Sequence, residues 1–135
     1  MTDENAWLPT EKDIENYKLL KDMLRSQKKE FDILSKKKAD EQLNPMKIKM
    51  ANRVLEPLKE LFKHEESHNF LDTLNEDEMP TNSDVVLIIS QYETAVNGFK
   101  NRYYLRDKYQ YPMELRWMTE EYPPDFYANE ENDEE

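Results

Sequence analysis

The residues with the most explicit chemistry are His64-Glu65-Glu66-Ser67-His68, an H-E-x-x-H pattern. On an α-helix, positions i and i+4 share a face, so two imidazoles can hold Zn²⁺ while the glutamate between them activates a bound water. Glu76, Asp84 or Glu93 can supply a third ligand. The pattern therefore admits a zinc hydrolase on His64, Glu65 and His68. Its surroundings speak against one. Nothing before residue 64 reads as a substrate-holding strand, and Lys63, Glu66 and Asn69 give the segment the character of an exposed helix end. Metal ligation by His64 and His68 is thus a minor alternative, and the sequence calls for no metal and no cofactor. Ser67 adjoins His68, but neighbours on a helix point apart, so no nucleophilic pair forms there. The chain reads as a non-enzyme.

A second group is cationic. Lys28, Lys29, Lys36, Lys37 and Lys38 belong to a basic stretch that also holds Lys18, Lys21 and Arg25, and Arg102 and Arg106 stand among Tyr103, Tyr104, Tyr109 and Tyr111. Lysines at helical spacing neutralise phosphates, and tyrosines can stack on bases. This is the alternative reading, a nucleic-acid-associated accessory protein. It is not favoured, because Asp22, Glu30 and Asp32 interrupt the basic stretch and the whole chain carries −11.

A third group lies near the C-terminus, where Trp117, Tyr122, Phe126 and Tyr127 surround or sit amid eight acids in residues 120–135. Aromatic anchors framed by negative charge suit a partner protein with a basic or grooved surface. Against that stands the plainer reading that Trp117 and Tyr122 fold back on the chain's own core.

Composition narrows the field further. The 135 residues include one glycine and no cysteine. Walker loops, Rossmann fingerprints and EF-hand loops all need glycine at fixed positions, and thiolate sites need cysteine, so none can be written here. The longest apolar run, residues 85–89, is far short of the ~20 residues of a membrane helix. The acidic opening Met1-Thr2-Asp3-Glu4-Asn5 does not resemble a signal peptide. These features read as a soluble, intracellular, cytoplasmic protein with no membrane partner.

The elements that must position these groups follow from capping and periodicity. Thr10-Glu11-Lys12-Asp13 fits a capping box. From it a helix of about 30 residues should run, with Ile14, Tyr17, Leu20, Leu24, Phe31 and Leu34 in a heptad row. Asn44-Pro45 then starts a second helix with Met46, Met50, Val54, Leu55 and Leu58 on one side, and Pro57 should kink or restart it near Glu56. The restarted piece would carry the H-E-x-x-H residues with Leu61, Phe62 and Phe70. Residues 75–82 read as an acidic loop, with Ser83 or Asn82 capping a third helix. Its row, Val85, Ile89, Tyr92, Val96, Phe99 and Tyr103, steps by 4, 3, 4, 3 and 4, and that helix should last to Tyr109. A hairpin around Asn97-Gly98 competes less well, because the flanks do not alternate. Residues 113–121 read as a short helix presenting Leu115, Trp117 and Met118.

The expected fold is therefore all-α, an elongated helical hairpin or small bundle with a third long helix and an aromatic, acidic C-terminal extension. Residues 1–9 form an arm, 10–111 the bundle and 112–135 the tail. Charge alternates in blocks, +6 over residues 18–63 and −8 over 64–98, which invites the two to pair. Large aliphatic and Phe side chains number 28 of 135, so the core must be thin and self-association or a partner is expected. The leading function is that of a small acidic adaptor, inhibitor or assembly subunit that regulates or joins other proteins through helix faces and the tail.

Overall fold

The structure is a computed structural model that describes residues 7–107 and 114–124. Among the described residues the chain is mostly helical, a small all-α bundle of three helices with one two-stranded ribbon: α1 (Glu11–Lys38), α2 (Pro45–Leu61), α3 (Asn82–Tyr103), β1 (Tyr104–Arg106) and β2 (Leu115–Trp117). Short 3-10 turns occupy Glu66–Phe70 and Glu76–Glu78. No helix among the described residues is long and apolar enough to cross a membrane.

Each helix starts where its local chemistry can satisfy free N–H groups. Thr10 and Asp13 exchange hydrogen bonds in the expected capping box, 3.0 and 2.9 Å. Asn44 accepts from the Lys47 N–H at 2.9 Å, with Pro45 in the first turn. For α3 the cap is Thr81, not Ser83 or Asn82. Thr81 and Asp84 form a second capping box, while the Asn82 side chain turns inward and donates to the Lys38 carbonyl at 2.9 Å. That bond, with Leu43 N–H to Pro80 O and Asn82 N–H to Glu41 O, fastens the start of α3 to the α1–α2 corner.

α1 is the helix against which the other two pack. The α3 row is buried at every position: Val85, Ile89, Tyr92, Val96, Phe99 and Tyr103. It meets α1 antiparallel. Tyr17 stacks on Phe99 at 4.9 Å between ring centroids, and its hydroxyl donates to the Val96 carbonyl at 3.1 Å. Phe62 and Trp117 close on the same pair of rings. Burial pushes the Tyr17 phenol up to about 12, so it stays a donor.

Several expectations need correction. α2 runs unbroken through Pro57 to Leu61. Proline there forfeits the bond to the Arg53 carbonyl, but both residues are exposed and water can replace it, while buried Leu55 and Leu58 hold the turn. The helix then stops, and the chain returns along α2 in extended form. The Asn52 side chain pairs with both backbone groups of Leu74 at 2.9 Å, imitating one rung of a sheet. α3 ends at Tyr103, not Tyr109, and 115–117 is a strand, not part of a helix. The reason is the cross-strand pair Tyr104 and Trp117, whose rings lie 5.0 Å apart, reinforced by Met118 N–H to Tyr103 O at 2.7 Å. The charge blocks are not joined by ion pairs, though the Glu93 carboxylate adds to the pull of Asp32 that raises the Lys28 ammonium. Ion pairs such as Lys28–Asp32 and Lys63–Glu60 are local, and none among the described residues joins 18–63 to 64–98.

Two substitution experiments follow. Gly98 sits in α3 with open space where a Cβ would go and no positive φ, so Gly98→Ala should raise unfolding free energy by about 1 kcal/mol. Tyr17 and Tyr92 are both fully buried, but the Tyr92 hydroxyl meets no hydrogen-bonding group among the described residues. Urea unfolding should show Tyr17→Phe losing about 1 kcal/mol and Tyr92→Phe gaining a comparable amount, opposite signs for the same chemical change.

Candidate functional site

The H-E-x-x-H residues are not on an α-helix. α2 has ended at Leu61, His64 lies in the following turn, and His68 sits in the 3-10 turn Glu66–Phe70, so the i, i+4 alignment is lost. The His64 imidazole stacks on Trp7 at 4.4 Å, and Trp7 in turn meets the edge of Tyr103 at 5.7 Å. The Glu65 side chain is 7% exposed, with Oε2 3.7 Å from an Arg102 nitrogen. Burial raises its carboxyl above the ordinary range, against the opposing pull of Arg102 and the Tyr103 hydroxyl. Among the described residues, no three His, Asp or Glu side chains are placed to hold a metal ion. These groups clamp the 62–70 turn and Trp7 onto the end of α3.

The cations proposed for nucleic acid do not form one surface. Lys28 pairs with Asp32 at 3.0 Å, Lys38 with Glu41 at 3.5 Å, and Arg102 with Glu65. Lys29, Lys36, Lys37 and Arg106 are exposed. Lys36, Lys37 and Lys38 close α1 where α3 begins, whereas Arg102 and Arg106 lie where α3 ends, on the order of 30 Å away along α1. Tyr103 is buried and Tyr104 is covered by Trp117, which removes two stacking faces; Tyr109 and Tyr111 lie outside the described residues. The cations that do crowd are Lys18, Lys21, Arg25 and Lys100: burial and then its like-charged neighbours depress the Lys21 ammonium, Asp22 opposing.

Trp117 is half-buried against Tyr17, Phe99 and Tyr104. Arg116 reaches past it, donating to the carbonyls of Tyr122 and Pro123 at 2.7 and 2.8 Å and to Asp107 at 2.8 Å. Tyr122 itself is 61% exposed. Phe126 and Tyr127 lie outside the described residues.

A further exposed apolar surface was not singled out by the sequence. α2 buries Ile48, Ala51, Val54, Leu55 and Leu58, leaving Met46 and Met50 outside, 64% and 53% exposed. The expected placement of both methionines in the packed face fails for a geometric reason. At about 100° per residue, the steps 46, 50, 54 and 58 each overshoot a full turn by about 40°, so the row winds off the core. On α1, Met23 and Ile33 are also exposed, 47% and 52%. Between the helices runs a groove of about 300 Å³, lined by Phe31, Leu34 and Met50 together with Gln27. The Gln27 amide donates to the Met50 carbonyl at 3.0 Å and ties the two walls together.

Comparison with protein-family models, with curated proteins and with solved structures finds no match to this chain.

Glu65 gives this end of the molecule a pH signature. The folded state holds its proton more tightly than the unfolded chain, so Glu65 adds stability at low pH that is lost as pH rises through the raised folded value. Urea unfolding of the wild type and Glu65→Gln between about pH 4 and 7 should show this loss in the wild type and its absence in the variant.

Proposed function

We propose that the protein is a non-enzymatic interaction protein, an adaptor, inhibitor or assembly subunit, and that the open α1/α2 face is its principal contact surface. One observation carries the reading. Leu19, Met23, Ile33, Met46 and Met50 are each about half exposed or more, in a chain whose apolar supply is small. Met50 lines the α1/α2 groove, Met46 lies one turn from it on α2, and Leu19, Met23 and Ile33 lie along the exposed side of α1; exposed apolar side chains beside a groove favour an interaction site, and methionine adapts readily to a partner. The acidic C-terminal region, −8 over residues 120–135, adds a charge that favours basic partner surfaces near that end. The nucleic-acid reading has less support, since its cations are paired or far apart. The hydrolase reading lacks the helical histidine face on which it depended.

A photo-crosslinking residue placed at position 50 tests this in the cells that make the protein. Discrete protein adducts are expected from position 50 and not from the exposed polar position Asn97 on α3. Equal capture from both, or none from position 50, contradicts the reading.

A further inference from the structure

We infer that the α1/α2 groove receives an amphipathic helix of another protein whose apolar seam is flanked by Asp and Glu. This deepens the interaction reading and rests on it. The groove's walls are antiparallel helices, and their rows of side chains leave a furrow that fits the ridge of a third helix. The α1 wall runs from Ser26 to Leu34, about 12 Å or two helical turns, and the α2 wall is formed by Lys47 and Met50, one turn apart. A dry cavity of about 150 Å³ takes one benzene ring, so a groove of about 300 Å³ has room for about two large side chains from the visitor.

Charge selects the visitor. Lys47 lines the groove, Lys37 lies one turn beyond Leu34, and Arg53 lies one turn beyond Met50. None of the three is ion-paired with a described carboxylate, and the groove's own acid is Glu30 alone. Residues 18–63, which form both walls, carry +6 against −17 for the rest of the chain. A second copy of this chain is the poorer occupant, because two molecules of charge −11 repel as they approach. An acid-flanked helix meets positive charge at the groove, and its leucines or aromatics replace water over the methionines.

The test uses the full chain and two synthetic helical peptides of about 18 residues, identical in their leucine seam, one flanked by Glu and the other by Lys. Fluorescence anisotropy should show the Glu-flanked peptide binding at least about tenfold tighter, with the preference shrinking as salt is added. Met50→Asp should weaken it by about tenfold or more with an unchanged melting temperature, since Met50 is exposed. Lys37→Glu combined with Arg53→Glu should move the preference to the Lys-flanked peptide. Equal affinities, no binding, or binding indifferent to Met50→Asp overturn the inference. A self-dimer in sedimentation that Met50→Asp dissolves overturns it in favour of a second copy. Peptide binding that appears only after removal of residues 125–135 overturns it in favour of the chain's own acidic end. Crosslinking at position 50 separates the two levels: adducts there with no peptide preference leave the interaction reading standing and remove only the acidic helix.

Discussion

The stack of Tyr17 on Phe99 is the contact from which the rest of the arrangement follows. It brings the first third of α1 against the last third of α3 and fixes their antiparallel register, and Phe62 and Trp117 close over it. The Tyr17 hydroxyl reaching the Val96 carbonyl adds direction to what would otherwise be greasy contact. Because Trp117 joins this cluster, 115–117 is drawn back as a strand on Tyr104, and Arg116 then holds the backbone of 122–123. One aromatic knot thus gathers the ends of four segments far apart in sequence.

The supply of apolar side chains sets the second constraint. With 28 large aliphatic and Phe residues in 135, the chain can bury a continuous row on α3 and part of those on α1 and α2, and little more. The covering is uneven. The α1/α3 seam is sealed, while the outer edge of the α1/α2 contact keeps Met23, Met46 and Met50 in water. Exposure there is an energetic debt within the isolated chain, and a visiting helix would cancel it.

Much of the architecture was legible in the sequence because it is written in local, periodic signals. The 4-3-4-3-4 row of α3 is buried at all six positions, and the caps at Thr10 and Asn44 hold as read. In α1, Ile14, Tyr17, Leu24 and Phe31 are buried, while Leu20 and Leu34 are only partly covered because that side of the helix faces α2 and its groove. What the sequence hid depends on contacts between distant residues. The end of α3 at Tyr103 is set by Trp117, fourteen positions on, and Asn82 leaves its capping role because Lys38 offers a carbonyl. Met46, Met50 and buried Val54 follow one another at i, i+4 steps, so only the rotation of α2 about its axis separates the exposed from the buried. The His-Glu pattern misled because helical spacing in a sequence does not make a helix.

The exposure of the methionine face is the claim on which the functional account stands, and it can be measured directly. The ε-methyl signals of ¹³C-labelled methionine, recorded in solution with a soluble gadolinium chelate, report how closely solvent approaches each side chain. The methyls of Met23, Met46 and Met50 should relax strongly and together, and that of Met118, 4% exposed, should be spared. Met46 and Met50 sheltered to the same degree as Met118 would contradict the account.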